Sequence, residues 1–413
     1  MGGRQQAATL LVIEDVPIDV LHADPANARR MPEAMARALD RSLAEFGIVQ
    51  PVLARRADSV IIAGHQRVAA ARRNGLATVP VIWLDVSVRR ARQIGLALNK
   101  VSGEWDETLL ARMLAELDAA GDVDLSLTGF ADDEVRTLLR SLEAREQRDR
   151  PEEFDLDAAL EATRQPRSAP GTIWQLGEHI VMCGDATNPA DVERLLGGRL
   201  AAMAFTDPPY NVRLGDHGGQ GRGSRRRRMA NDDLDEAEFE LFCRGWAPLL
   251  LGSVSGAIYL CMSSKEWPLV NRVLAEAGGH WSTTIIWAKD RFTLGRAPYQ
   301  RGYEPIWFGW RQGVHPVWAG GRDQSDVWQI PRPSDASLHP ATKPLALIER
   351  AIDNSSRPGD LVLDLFGGSG STLIAAQRTG RLAAVLEIDA RYVDVIVARW
   401  EAFTERSAVR RDG

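Results

Sequence analysis

Thr206-Asp207-Pro208-Pro209-Tyr210 follows the apolar run Leu200 to Phe205. An apolar run broken by an acid, two prolines and an aromatic reads as a buried parallel strand ending in a rigid loop. Proline fixes its own φ and drives the preceding residue towards extended backbone. Asp207 and the Pro208 carbonyl are then held at the carboxyl edge of a sheet, where open α/β folds place their chemistry. A carboxylate and a carbonyl can accept the two hydrogens of a conjugated exocyclic amine, and the Tyr210 ring can stack on the base that bears it. The set suits methylation of a nucleobase amine, with Asp207, Pro208, Pro209 and Tyr210 as candidate catalytic residues. Alone, such a tetrapeptide is more often an ordinary strand-end turn.

Its partner lies near the other end of the chain. Leu361-Val-Leu-Asp364 leads through Leu365-Phe366 into Gly367-Gly368-Ser369-Gly370-Ser371-Thr372 and the helical pattern Leu373 to Arg378. A strand feeding a glycine loop that opens a helix is the cofactor-binding unit of doubly wound folds. Glycines let backbone approach a ligand that a Cβ would block, and the N–H groups of a helix start favour a carboxylate or phosphate. Leu382 to Glu387 reads as the next strand, ending in an acid suited to ribose hydroxyls.

From about Gly171 to Glu405 the chain resembles the S-adenosylmethionine-dependent DNA amino-methyltransferases whose catalytic tetrapeptide precedes the cofactor loop. The landmarks stand in order: Cys183-Gly184-Asp185, Asn211 after Tyr210, Trp307-Phe308-Gly309-Trp310, Ser325-Asp326-Val327-Trp328 and His339-Pro340-Ala341-Thr342-Lys343-Pro344. The resemblance implies a Rossmann-like methyltransferase sheet, S-adenosylmethionine as cofactor and double-stranded DNA as substrate. It also implies a target base flipped out of the helix, because the stack hides the amine. Asp185, Asp364, Phe366, Gly367, Gly368, Ser369, Gly370, Ser371, Thr372 and Glu387 would hold the cofactor, with His339 and Lys343 near its methionine end. The Asp-led tetrapeptide resembles adenine-N6 enzymes, with cytosine-N4 as the alternative. Cytosine C5 chemistry needs a thiolate nucleophile, usually in a Pro-Cys pair, and none of Cys183, Cys243 and Cys261 follows a proline. Two further readings rank lower: a regulatory DNA-binding protein with an inactive methyltransferase half, and methylation of a protein glutamine.

The rest of the chain must position these segments. At 413 residues two domains are the default. A net charge of −6 excludes a globally basic nucleic-acid binder but not a local basic patch. The three cysteines are far apart, so neither a metal site nor a disulfide framework is expected. The start lacks the build of a secretory signal and no run of about eighteen apolar residues offers a membrane span, which makes the cytoplasm the expected location.

Residues from about Leu11 to Asp85 resemble the amino-terminal domain of the ParB partition proteins (ParB/sulfiredoxin-like), on Gly64-His65-Gln66-Arg67-Val68-Ala69-Ala70-Ala71 and Val79-Pro80-Val81. That implies a small α+β domain over 1–86, with a nucleotide or phosphate site at Gly64, His65 and Arg67. Gln66 stands where partition proteins usually carry a charged residue, against nucleotide hydrolysis. Residues 87–145 have a helical pattern that can pack, touch DNA or meet a sister chain as a homodimer. Residues 146–170, rich in Arg, Glu, Gln and Pro, are expected as a linker, and 171–413 as the methyltransferase domain. Between Gly215 and Met229 lie glycines and the arginines Arg222, Arg225, Arg226, Arg227 and Arg228, which suit a DNA-clamping loop. Asn231-Asp232-Asp233 is expected to cap the helix that follows. Basic and aromatic residues interleave from Lys289 to Arg332 and suit a target-recognition surface, although Trp307 and Trp310 equally suit a hairpin core.

Overall fold

Strands and helices follow the apolar periodicities through most of the chain. The computed structural model describes residues 11–31, 33–99, 104–120, 125–128, 130–148, 150–152, 154–211, 231–293, 298–332 and 343–411. The chain divides into two units, Met1–Leu142 and Glu143–Gly413.

The first unit holds β1 (Ile13–Pro17), β2 (Arg29–Arg30), α1 (Glu33–Phe46), β3 (Val52–Arg55), β4 (Ile61–Ala63), α2 (His65–Arg73), β5 (Thr78–Leu84), α3 (Val88–Asn99), β6 (Glu104–Trp105) and α4 (Glu107–Ala120), then most of α5 (Asp132–Arg148). Its main sheet runs β1-β5-β3-β4, with β3 and β5 parallel and the outer pairs antiparallel. Val52, Ala54, Val79 and Val81 are fully buried at its centre. Gly64 caps α2 at φ 107°, a backbone that disfavours any side chain.

The second unit holds α6 (Leu156–Ala162), β7 (Ile173–Leu176), β8 (His179–Cys183), α7 (Pro189–Leu196), β9 (Met203–Thr206), α8 (Glu236–Ser253), β10 (Ile258–Cys261), α9 (Trp267–Glu276), β11 (Gly279–Thr293), β12 (Arg301–Arg311), β13 (Val327–Gln329), α10 (Leu345–Ser355), β14 (Leu361–Asp364), α11 (Ser371–Arg378), β15 (Leu382–Glu387), α12 (Ala390–Thr404) and β16 (Val409–Arg411). One sheet runs β13-β11-β12-β10-β9-β14-β15-β8-β7-β16. Its centre, β10-β9-β14-β15-β8, is parallel. Along β9, Met203 and Phe205 enter one core and Ala204 the other. Burial on both faces is why these strands read as unbroken apolar runs.

Two expectations are corrected, and one left open is decided. The stretch 146–170, expected as a linker, carries α6. Leu156 and Leu160 pack on Val395 of α12, and Ser168 donates to Asp394. Apolar positions spaced by four in a polar stretch were the missed signal. The cap of α8 is Asp235 in a reciprocal capping box with Glu238, rather than Asn231-Asp232-Asp233. Trp307 is 1% exposed and donates from its indole to Asn271 at 3.1 Å, so it belongs to the core. Aromatics standing out from the same region are Phe292, Tyr299, Tyr303 and Trp318. All three cysteines are buried and free. Among the described residues no helix is long and apolar enough to cross a membrane.

Candidate active site

In the parallel block the chain steps from β9 outward to β10, and from β14 outward to β15 on the opposite side. Loops leaving β9 and β14 therefore diverge and open a crevice at the carboxyl edge, the topological switch point of such sheets. Both candidate segments sit there. Thr206, which ends β9, donates its hydroxyl to Asp364 Oδ1 of β14 at 2.9 Å. The Phe366 N–H donates to the same oxygen at 3.0 Å, and Thr372 Oγ1 donates to Oδ2 at 2.6 Å. Burial pushes the Asp364 carboxyl up to about 6 against the opposing effect of these bonds. Asp364 thus braces the β9 end, the glycine loop and the start of α11 against one another.

Beyond Asp364 the chain turns through Gly367, whose N–H donates to the Leu386 carbonyl at 2.8 Å. A Cβ there would come 2.4 Å from Val385 Cγ1. At Gly368, in left-handed backbone at φ 51°, an added Cβ would meet nothing nearer than the Phe366 carbonyl at 4.0 Å. The loop is thus tight against the sheet on one side and open on the other, which fits a ligand lying along it. Glu387 accepts from the N–H groups of Gly368 (2.7 Å) and Asp389 (2.8 Å). Burial pushes its carboxyl up to about 7, although these bonds oppose the shift. Two lone-pair positions remain for a ligand hydroxyl pair. Cys183 pairs with Glu387 in the β8–β15 register, which brings Asp185 to the same edge; its Oδ1 accepts from the N–H and hydroxyl of Thr187, each at 2.8 Å. Phe366 packs edge-on against Phe242 and Trp246. Ser369 and Ser371 are held from behind: Arg399 donates to the Ser369 carbonyl at 2.8 Å and the Ser371 hydroxyl at 3.2 Å. Glu152 anchors Arg399 at 2.9 Å.

Pro208 and Pro209 carry the chain from Asp207 to Tyr210. The Tyr210 hydroxyl donates to Asp207 Oδ1 at 2.6 Å and reaches Glu304 Oε2 at 3.4 Å. Lys343, expected near the methionine end of the cofactor, donates to Asp207 Oδ2 at 2.5 Å. It also lies 3.4 Å from Glu304 Oε2, and Lys289 pairs with Glu304 Oε1. Burial favours a neutral Lys343, but Asp207 and Glu304 outweigh it and raise its pKa above the usual ammonium value. Burial likewise favours a neutral Glu304, and Lys343 and Lys289 reverse that, holding it at about 2. Burial and the neighbouring carboxylates push the Tyr210 phenol well up, so it stays a donor. The sequence reading missed Glu304, Lys289, Arg399 and Glu152. An acid inside the apolar strand Tyr303-Glu-Pro-Ile-Trp307 was the available clue.

His339 and Arg222, Arg225, Arg226, Arg227 and Arg228 lie outside the described residues. In the first unit, Arg67 donates to the carbonyls of Gln50 and Pro51, each at 2.8 Å, which braces the turn before α2. His65 accepts the Asp24 N–H at 3.3 Å, and burial lowers its pKa despite Asp24. His65 lines a cleft of about 130 Å³ with Asp24, Arg55, Arg92 and Trp105.

Family models match three regions: "ParB N-terminal domain" on residues 3–100, "ParB-methyltransferase HTH domain" on 108–170 and "DNA methylase" on 201–398. The type II methyltransferase M.ScaI of Streptomyces caespitosus is 38% identical over 90 residues, 20% of this chain and 30% of that protein, so the chain spans under a third of its length. The M1.HpyAVI–SAM crystal structure is 21% identical, covering 53% of this chain and 98% of that one at a TM-score of 0.41. The type II methyltransferase M2.DpnII of Streptococcus pneumoniae is 32% identical over 235 residues, 49% of this chain and 83% of that protein. With a relative of that identity spanned over most of its length and the methylase model lying across both crevice loops, the chain belongs to the N6/N4 DNA methylase family.

Proposed function

We propose that the protein methylates the exocyclic N6 amine of adenine in duplex DNA, with S-adenosylmethionine as methyl donor. The observation that carries this reading is the Thr206–Asp364 hydrogen bond, which ties the end of the amine-accepting segment to the strand that leads into the glycine loop. When bound, S-adenosylmethionine supplies an electrophilic methyl group. Glu387, Gly368 and Asp185 are the residues we assign to hold it. Asp207 and the Pro208 carbonyl would accept the two amine hydrogens and so aim the weak, delocalised lone pair at that methyl. Tyr210 would replace the stacking that a flipped base loses. Positioning and fixed electrostatics supply the acceleration, with no covalent intermediate. Buried Cys261 stays a thiol, because burial and the charge of Asp207 push its pKa well up.

The preference for adenine rests on the aspartate that leads the tetrapeptide. The test is mass spectrometry of nucleosides digested from unmethylated duplex DNA after incubation with the full chain and labelled S-adenosylmethionine. N6-methyladenine is the expected product. N4-methylcytosine would move the assignment to that base, and neither would overturn it. For the first unit we infer a nucleotide or phosphate site in the His65 cleft, lined by Arg55 and Arg92, which pair with Asp58 and Glu116.

A further inference from the structure

Lys343 stands where the proposed substrate has to bind. Its ammonium donates to Asp207 and lies 5.1 Å from the centroid of the Tyr210 ring, the ring proposed to stack on the base. An ammonium over the ring and a stacked nucleobase cannot share that face. The Lys343 side chain is only 10% exposed, so leaving Asp207 does not return the charge to water. Stranding a buried cation is costly. The neighbouring acceptor is Glu304, whose Oε2 is 3.4 Å from the Lys343 nitrogen. Lys289 holds the other oxygen of that carboxylate and lies over the Trp287 ring.

Resting on the amine-methylation reading, we propose that Glu304 is a positioning residue that takes Lys343 from Asp207 as the target amine arrives. The transfer clears the acceptor and the ring face together. Asp207 and Glu304 balance Lys343 and Lys289 before and after the move, and a neutral base enters without changing that balance. No bond is made or broken in this step. Glu304 acts through Lys343 and does not touch the reacting atoms.

The test compares full-length wild type, Glu304→Gln, Lys343→Met and the double variant in methyl transfer to unmethylated duplex DNA. Glu304→Gln leaves Lys343 pinned on Asp207, so the KM for DNA is expected to rise about tenfold or more, with a smaller fall in kcat. In the Lys343→Met background the same exchange is expected to change KM by less than about twofold, because no ammonium awaits a receiver. Glu304→Asp keeps the charge and should fall between wild type and Glu304→Gln; if Glu304→Gln does not fold, its rise in KM, lost in the Lys343→Met background, serves instead. Equal losses in both backgrounds would overturn the transfer while leaving the methylation reading intact. No methylated base with wild type would sink the methylation reading and this proposal with it.

Discussion

Thr206 and Asp364, 158 positions apart, are joined by a buried hydrogen bond of 2.9 Å. Each is next to or within one of the two segments that could carry chemistry, so the bond adds a side-chain tie to the β9–β14 pairing that sets their spacing. Replacing Thr206 by valine keeps the shape and removes the donor. Asp364 Oδ1 keeps its bond from the Phe366 N–H, so the cost should be that of one net hydrogen bond, about 0.5–1.5 kcal/mol. Thermal melting of the full chain checks this, and an unchanged midpoint would show that the bond contributes nothing.

Asp207→Ala should lower methyl transfer by at least about a hundredfold, the scale seen when a preorganised polar group is removed from a reacting centre. Binding of S-adenosylmethionine, measured by calorimetry, should be largely kept, because Asp207 is on the other side of the crevice from Glu387. Undiminished transfer would refute the catalytic assignment.

Glu387 gives a pH dependence of defined sign. Its carboxyl is pushed up to about 7 by burial, so it loses its proton across the neutral range. Hydroxyl donors from a ribose favour the ionised form. Affinity for S-adenosylmethionine should therefore climb as pH rises through about 7 and level off above it. Glu387→Gln should weaken binding and flatten that slope; a slope that persists in the variant would assign the titration elsewhere.

Arg225 to Arg228 replaced by serine should weaken binding to duplex DNA and reduce its salt dependence. If all four meet phosphates, the slope of log affinity against log salt should fall in magnitude by roughly 3.6. Titrations at several salt concentrations read this directly, and an unchanged slope would make the run an ordinary solvated loop.

The doubly wound sheet was legible because its strands are buried on both faces and its glycine loop, shared in kind with other nucleotide binders, stands in one chain with Asp207-Pro-Pro-Tyr210. Helix α6 was hidden by its surroundings. Its seven residues, LDAALEA, are mostly apolar, but the Arg, Glu, Gln and Pro on either side make the stretch look like a connector until Val395 is found beneath it. The same holds for Arg399, which reads as an ordinary surface cation on α12 yet is 4% exposed beneath the glycine loop.

Residue order alone was enough to single out Asp207-Pro-Pro-Tyr210 and Gly367 to Thr372 as constrained turns that could carry chemistry, since local backbone constraint is written into proline and glycine. It could not say which side chains surround Asp207. Glu304, which meets Tyr210 and Lys343, and Lys289, which pairs with Glu304, join the cluster through the pairing of β11 with β12, where Glu304 stands opposite Trp287, and Lys343 comes from a separate segment before α10. Register and chain crossing are properties of the packed sheet, and long-range electrostatic partners follow from them rather than from neighbours along the chain.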